Sequence, residues 1–246
     1  MLSSNKIKLI KSLDNKKFRH KYNLFAVEGV KNIKEFVFSG YSFKDIFTVE
    51  TLPFLSEKDF EQVSLAELKK ISFLKNPHDA LALFEIPPSK MLPVKGIQLV
   101  LDDIQDPGNL GTIIRLADWF GIEQILCSEG TADIYNPKVV QATMGSLSRV
   151  NVVYTNLPAF LEQTTLPVFA ADMEGENLFT ADIPQELLLV MGNEGSGISH
   201  AVKRLCRHTL SIPRFGKEQK TESLNVAVST AVILGEIFSR KLRIKN

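Results

Sequence analysis

The alternation of apolar strands with amphipathic helices over the last 150 residues restricts the fold of this chain most strongly. The stretch IQLVLDDI, beginning at Ile97, is almost wholly apolar, as expected for a strand covered on both faces. Predicted helices and strands then alternate up to a long final helix, SLNVAVSTAVILGEIFSRKL. The pattern favours an α/β fold in which a parallel sheet carries helices on both faces. Ligand sites in such sheets lie at the carboxyl ends of strands.

A proline-rich segment, EIPPSKMLPVKG, predicts a linker that separates a shorter N-terminal part from this region. We place the boundaries at 1–88 for the first domain, 89–96 for the linker and 97–246 for the second domain. The first part reads as a small α/β unit with strands at NLFAVEG, DIFTVE and ALALFEI. One of its helices, SLAELKKI, begins with Ser64 as a plausible N-cap three residues before Glu67.

Composition excludes several classes of protein. The two cysteines form no C-x-x-C pair, and the four histidines show no metal-ligand spacing with them, so we expect no metal. No apolar run reaches membrane-spanning length, and the N-terminal stretch lacks the apolar core of a signal peptide. We therefore expect a cytoplasmic protein without membrane partners.

Charge is distributed unevenly along the chain. Residues 1–95 hold 16 lysines and arginines against 11 acidic residues, although the whole chain has a net charge of only +1. Much of this excess lies in NKIKLIKSLDNKKFRHKY. Such a segment is typical of a nucleic-acid contact, but a solvated helix face gives the same pattern.

Three predicted loops at strand ends carry polar residues. In the first, QDPGNLGTIIRLADWFG, Asn109 sits at a helix start and Arg115 lies among apolar neighbours. Arg115 is either an ordinary surface residue or a side chain that projects into a partly enclosed site. In the third, IPRFGKEQKTESLNVAVSTAVILGE, Ser223 is a plausible N-cap and Asn225 falls in the first helical turn. The simplest interpretation there is that Ser223 caps the helix and Asn225 has no further role.

The second loop, MGNEGSGIS, has the glycine spacing G-x-x-G-x-G. This order reverses the dinucleotide fingerprint, and no P-loop motif occurs in the chain, which disfavours a nicotinamide-binding enzyme. Glycines at these positions suit a ligand approached closely by backbone. Glu194, inside the loop, would tolerate a cationic or zwitterionic ligand.

Together the three segments resemble the SpoU (TrmH) family of RNA 2′-O-ribose methyltransferases, within the SPOUT superfamily. The resemblance runs roughly from Ile97 to Arg240. In the first domain, FAVEGVKNIKEF resembles the substrate-binding domain that many family members carry. The resemblance implies a C-terminal deep trefoil knot, S-adenosyl-L-methionine as cofactor, and a homodimer with the active site near the subunit interface.

Site residues follow from the same resemblance. It implies polar active-site positions at Asn109, Arg115, Glu194, Ser223 and Asn225, and cofactor contacts at Met191, Gly192, Gly197, Ile212 and Leu224. Arg115 matches the arginine proposed to activate the ribose hydroxyl, either as a base or as an orienting group beside a substrate phosphate. Glu194 would position Arg115 or favour the sulfonium charge.

The loop from Arg214 to Glu222 is longer than the family pattern and carries Lys217 and Lys220. It is a candidate for a basic lid that contacts RNA. Ribosomal RNA is the favoured substrate, because an added N-terminal module helps to grip a folded RNA. Transfer RNA and a non-catalytic RNA-binding role on the same scaffold are the alternatives.

Overall fold

The structure is a computed structural model, and it describes residues 2–218 and 223–244. The chain separates into two compact units. One comprises Met1–Pro88 together with Asp133–Arg149, and the other comprises Ser89–Ala132 together with Val150–Asn246.

Helices and strands alternate in the described residues. The helices are α1 Ser4–Ser12, α2 Lys16–Tyr22, α3 Val30–Phe38, α4 Leu65–Ile71, α5 Pro107–Trp119, α6 Pro137–Thr143, α7 Leu157–Gln163, α8 His200–Lys203 and α9 Val226–Ile244. The strands are β1 Leu24–Glu28, β2 Phe43–Thr48, β3 Glu61–Gln62, β4 Ala80–Glu85, β5 Ile97–Asp102, β6 Gln124–Cys127, β7 Asn151–Tyr154, β8 Val168–Asn177, β9 Leu187–Gly192 and β10 His208–Ser211.

The N-terminal unit is a small sheet covered on both faces, with strand order β1-β4-β2-β3. β4 runs antiparallel to β1 and β2, whereas β2 and β3 are parallel. Side chains alternate between the two faces. Leu24 and Ala26 of β1 join one apolar cluster with α1 and α4, while Phe25 meets Phe36 of α3, their ring centroids 5.5 Å apart. The predicted α/β unit is thereby confirmed.

Residues 133–149 complete the core of the N-terminal unit, although they are far away in sequence. The ring of Tyr135 lies 4.7 Å from that of Phe25, and Gln141 bonds to His78 at 3.0 Å. Arg19, only 2% exposed, bonds to Asp133 at 2.6 Å. One cation of the basic N-terminal stretch is therefore an internal structural residue. The predicted domain boundaries, at residues 88 and 96, stay a prediction.

A local signal in the sequence marks the start of α4. The predicted N-cap is confirmed: the Ser64 side chain accepts from the Glu67 N–H, and the Glu67 carboxylate accepts from the Ser64 N–H. The sequence predicts one helix over KVVQATMGSLS, and the structure shows that this prediction is wrong. α6 ends at Thr143, Met144 and Gly145 adopt left-handed conformations, and a short 3-10 turn follows. A Cβ at Gly145 would crowd the side chain of Glu35.

The C-terminal unit confirms the predicted α/β fold with helices on both faces. Its sheet has the order β10-β8-β9-β5-β6-β7, and every pair is parallel. Val100 and Val190 of the central strands cluster with residues of α7 and α8 on one face. α5 and α9 pack together elsewhere in this unit, with Phe120 and Phe238 5.0 Å apart.

Strand order places two of the predicted loops side by side. β5 pairs with β9 so that Asp102 lies opposite Gly192. From β5 the chain moves through α5 to β6 on one side, whereas β9 lies on the other side. Such a reversal of strand order opens a crevice at the carboxyl ends. Strand order does not describe how the chain is threaded, so the trefoil knot stays a prediction.

Candidate functional site

The glycine-rich loop after β9 is a compact turn closed by its own backbone. Asn193 and Gly197 exchange N–H to carbonyl bonds, both 3.0 Å long. The Asn193 side-chain oxygen accepts from the N–H groups of Gly195 and Ser196, at 2.8 and 3.0 Å. Two backbone donors that a phosphate cradle would offer to a ligand are therefore satisfied within the turn itself. This geometry agrees with the glycine spacing, which disfavours a pyrophosphate site.

Gly192 is the point where this turn closes on the end of β9. A Cβ at this position would overlap the backbone of Gly197 and Ile198. Gly197 itself has a φ of 71°, in the left-handed region that favours glycine. By contrast, a Cβ at Gly195 would meet only the Asn193 side-chain oxygen, at an ordinary 3.5 Å.

Two acidic residues at the end of β5 anchor the turn. Asp102 is buried, and its carboxylate accepts from the Ser199 N–H at 2.7 Å. The Asn193 side chain donates to the Asp103 carbonyl at 2.8 Å. The positions predicted from the sequence did not include Asp102, Asp103 or Asn193. The available signal was the acidic pair that ends an otherwise apolar strand.

Asn109, Glu194 and Asn225, one from each predicted loop, form a hydrogen-bonded chain. The Asn225 Nδ2 donates to Asn109 Oδ1 at 2.8 Å, and the Asn109 Nδ2 donates to Glu194 Oε1 at 2.8 Å. The Asn225 Oδ1 is occupied, because it accepts from the N–H groups of Ala227 and Val228. These hydrogen bonds fix the orientation of both amide groups, and the series ends at the Glu194 carboxylate.

The start of α9 corrects the predicted cap. Ser223 and Leu224 precede the helix, which begins at Val226. Asn225 occupies the N-cap position and satisfies two backbone donors of the first turn. The non-helical segment before α9 is longer than expected and leaves Ser223 exposed, two residues before the cap. The prediction that Ser223 caps the helix and that Asn225 lies in the first turn was wrong.

Arg115 lies on the exposed face of α5, two turns after Asn109. It shares an exposed stripe with Gly108, Thr112 and Trp119, which follow the helical spacing. Among the described residues no hydrogen bond joins Arg115 to Glu194, whose carboxylate bonds to Asn109 instead. The structure brings three of the five predicted polar positions together and leaves Arg115 and Ser223 outside their chain of bonds.

The predicted cofactor positions occupy strand ends and loops at one edge of the sheet. Met191 is 3% exposed, so its side chain is buried. Gly192 ends β9, and Gly197 closes the turn after it. Ile212 directly follows β10 and is half-buried, whereas Leu224 is half-exposed.

The extended loop after Pro213 is described as far as Glu218. Arg214 lies against Met173 of β8, with its Nη2 3.6 Å from the thioether sulfur. Phe215 and Lys217 are exposed. Lys220, named above as part of the candidate basic lid, lies outside the described residues.

A cavity of about 350 Å³ opens at the opposite edge of the sheet. Its lining includes Gln98 and Gln124, which stand at the amino ends of β5 and β6. The amide of Gln124 donates to that of Gln98 and to the Leu92 carbonyl, so these groups hold the segment before β5 in place. This cavity is separate from the three loops.

Among the described residues, no helix has the length and apolar character needed to cross a membrane.

Comparison with known proteins identifies the family. The model of the SpoU rRNA Methylase family matches residues 96–235, and that of the MRM3-like substrate binding domain matches residues 4–82. The 23S rRNA (guanosine(2553)-2'-O)-methyltransferase RlmP of Bacillus subtilis (strain 168) is 31% identical over 240 residues. That alignment covers 94% of this chain and 95% of the relative.

Solved structures agree with this match. An AdoMet-bound rRNA methyltransferase from Sinorhizobium meliloti has a TM-score of 0.87 at 28% identity, covering 98% of this chain and 96% of that chain. The SpoU methyltransferase AviRb from Streptomyces viridochromogenes, in complex with the cofactor AdoMet, has a TM-score of 0.82 at 26% identity, covering 98% and 99%. Because the family model spans more than half of the chain and the similarity extends over nearly its whole length, this chain belongs to the SpoU rRNA methylase family.

Proposed function

We propose that this chain is an enzyme that transfers a methyl group from S-adenosyl-L-methionine to a ribose 2′-hydroxyl of ribosomal RNA. The observation that carries the proposal is the chain of bonds through Asn109, Glu194 and Asn225. It joins all three family motifs at the carboxyl edge of the sheet. Relatives named as 23S rRNA 2′-O-methyltransferases, and structures of AdoMet-bound relatives, support the reaction and the cofactor.

The residues at this edge fit the proposed cofactor. The turn after Gly192 uses two of its own donors internally and offers no phosphate cradle. The side chains of Ile212 and Leu224 leave apolar surface partly accessible. The carboxylate of Glu194, in the same loop as Gly192, suits a cationic group. We propose that the backbone at Met191, Gly192 and Gly197, together with these two apolar side chains, holds S-adenosyl-L-methionine.

The bound cofactor would supply a methyl group on a sulfonium centre. The chain must then hold a ribose hydroxyl in line with that methyl group and help its proton to leave. Arginine is essentially always protonated, so we assign Arg115 the role of a donor that orients the hydroxyl. The bonded chain from Asn225 to Glu194 fixes polar groups from three loops before substrate arrives. Ser223, exposed beside that chain, is proposed as a further ligand contact.

The N-terminal unit is proposed to bind RNA, as the name of its matching family model suggests. Its α2 exposes four cationic or titratable side chains: Lys16, Lys17, His20 and Lys21. Tyr22, exposed on the same helix, stacks with Phe18 at 6.2 Å. Basic and aromatic groups together suit RNA phosphates and bases. We propose that the reaction takes place in the cytoplasm.

We propose that the enzyme works as a homodimer. Trp119 is 85% exposed on the stripe of α5 that also carries Arg115. Val228 and Leu242 expose further apolar surface on α9. Large exposed apolar side chains on two packed helices are typical of an interaction surface. A second copy on this surface would also enclose Arg115, which the single chain leaves open.

The proposal is tested by incubating the protein with S-adenosyl-L-methionine labelled in its methyl group and with ribosomal or transfer RNA. We expect label in ribosomal RNA at a nucleotide whose 3′ linkage resists alkaline hydrolysis, as a 2′-O-methyl group requires. Label in transfer RNA alone would support the alternative substrate. No label in either RNA, with cofactor binding shown by calorimetry, would support a non-catalytic RNA-binding role and overturn the proposal.

A pair of variants tests the role proposed for Arg115. Arg115→Ala should abolish transfer and leave cofactor affinity largely unchanged. Arg204→Ala, on α8's C-terminal side and 3.9 Å from Glu162, removes an exposed arginine elsewhere and should transfer normally. Equal activity of both variants would refute the role given to Arg115.

A further inference from the structure

An exposed aromatic pair stands beside the predicted cofactor positions and has no role in the function proposed above. Phe215 is 83% exposed, in the extended loop that follows β10. Its ring centroid lies 6.5 Å from that of Phe179, with the two planes tilted by 40°. Phe179 is itself partly exposed. We define this pair as the aromatic platform.

The Phe179 side of the platform rests on a well-anchored turn. Leu178 is fully buried, and its N–H donates to the Ser211 carbonyl at 2.9 Å. The Arg240 guanidinium of α9 donates to the carbonyls of Leu178 and Ala181, on either side of Phe179. The Phe179 N–H donates to the Asn177 side chain at 2.9 Å. An aromatic ring held on a rigid base loses little freedom when a ligand stacks on it.

The surroundings of Phe215 favour a nucleic acid over another protein. Arg214 and Lys217 flank it, and both are exposed. Arg214 also touches Met173 of β8, which ties this end of the loop to the sheet. Cationic side chains that alternate with an exposed ring match the phosphates and bases of an unpaired RNA strand. Glu174 and Glu176 on β8 are exposed as well and disfavour phosphate on that side. The main contact of the platform should therefore be with a base.

We propose that the aromatic platform stacks an unpaired nucleobase of the RNA substrate. Phe215 supplies an open ring, and Phe179 supplies the rigid support. The inference rests on the proposed RNA substrate and narrows it to a single-stranded loop, bulge or unstacked end. An A-form helix keeps its bases stacked on one another and would leave the platform without an occupant.

Equilibrium binding tests the platform without any catalysis. The probe is a fluorescein-labelled single-stranded RNA of about 12 nucleotides, compared with a duplex of the same sequence. Phe215→Leu keeps an apolar side chain but loses the ring, and Phe215→Tyr keeps the ring. We expect Phe215→Leu to weaken single-strand binding by about tenfold, because base stacking on an aromatic side chain is lost. Phe215→Tyr should bind like the parent, and duplex affinity should be the same in all three proteins.

Phe215→Trp gives a direct signature, because stacked bases quench indole fluorescence. After the emission of Trp119 is subtracted, we expect the remaining indole emission to fall when the single strand is added. It should change little when the duplex is added. Equal single-strand affinities of Phe215→Leu and Phe215→Tyr would overturn the platform. A parallel loss of duplex binding would also overturn it. If no RNA is methylated but single-strand affinity still depends on the ring of Phe215, the transferase proposal is wrong and the proposal of the aromatic platform is supported.

Discussion

At the residue scale, the candidate site contains amide groups whose oxygen and nitrogen bond to different partners. Asn225 uses its oxygen to cap α9 and its nitrogen to hold Asn109. Asn109 passes that orientation on to Glu194. Because an amide carries a donor and an acceptor in fixed geometry, the start of one helix sets the position of a carboxylate in another loop.

Two substitutions at Asn225 separate its role as the N-cap acceptor of α9 from its role as the donor to Asn109. Asn225→Ala removes the acceptor for two N–H groups and should lower the free energy of unfolding by about 1 kcal/mol. Asn225→Asp retains an acceptor and should preserve most of that stability. Both remove the donor to Asn109, so both should slow methyl transfer by about tenfold, the equivalent of one hydrogen bond. Denaturant unfolding and single-turnover kinetics measure the two effects, and a fully active Asn225→Asp would contradict this role.

Two glycines of the same turn should respond differently to the same change. Gly192→Ala would force the turn away from β9, because the added methyl group overlaps the backbone of Gly197 and Ile198. We expect loss of S-adenosyl-L-methionine binding by calorimetry. Gly195→Ala is the matched control, since its methyl group meets only an ordinary contact. Normal cofactor binding by Gly192→Ala would show that the turn does not shape the cofactor site.

At the element scale, helix starts in this chain rest on local pairs that the sequence shows directly. In α4 the Glu67 carboxylate accepts from the Ser64 N–H, the Leu2 N–H and the Ser64 hydroxyl. These bonds, the one from the Ser64 backbone first, lower the pKa of Glu67 to about 2. The carboxylate form is therefore the form that the folded helix start requires.

The pH dependence of stability follows from the direction of that shift. A carboxyl whose pKa is lower in the folded state stabilises the fold above its unfolded value, which is about 4.5. This contribution is lost as the pH falls from about 4.5 towards 2. Glu67→Gln should flatten the pH profile of unfolding in that window, as measured by denaturant titration. An unchanged slope would show that the helix start does not depend on the charge.

At the scale of the whole molecule, a segment between β6 and β7 belongs by packing to the N-terminal unit. Tyr135 covers Phe25, and Asp133 pairs with the buried Arg19. Burial raises the pKa of the Tyr135 phenol, which places its ring in an apolar setting. A compact unit thus combines chain segments about 50 residues apart.

A fragment of residues 1–88 should therefore be less stable than the same unit in the full chain. Without residues 133–149 it exposes Phe25 and leaves the Arg19 guanidinium without its carboxylate partner. We expect a lower unfolding midpoint and binding of an apolar dye, both reversed by adding a peptide of residues 133–149. A fragment as stable as the full chain, with no response to the peptide, would contradict this packing.

The proposed dimer makes a separate prediction. Trp119→Glu places a charge on the most exposed apolar side chain of α5, and should convert the protein to a monomer in sedimentation analysis. Activity should fall with the monomer, while the fold persists by circular dichroism. Phe38→Glu, at an exposed aromatic of the N-terminal unit, is the control and should leave the oligomeric state unchanged.

The sequence by itself determined the parallel sheet, the position of the three loops and the family. Periodic apolar patterns report burial along each element, and Ser64 with Glu67 marks a helix start through contacts only three residues apart. The glycine spacing alone disfavours a pyrophosphate cradle. These properties depend on neighbours in the chain, which a sequence displays directly.

Only the tertiary structure decided which polar groups meet. Glu194 bonds to Asn109 rather than to Arg115, and Asn225 rather than Ser223 caps α9. The anchoring by Asp102 and the packing of residues 133–149 into the N-terminal unit also depend on groups about 100 residues apart. The bonds between loops of the C-terminal unit form because parallel strands bring distant loops to one edge of a sheet. Their partners are fixed by strand order and backbone direction, which no local pattern encodes.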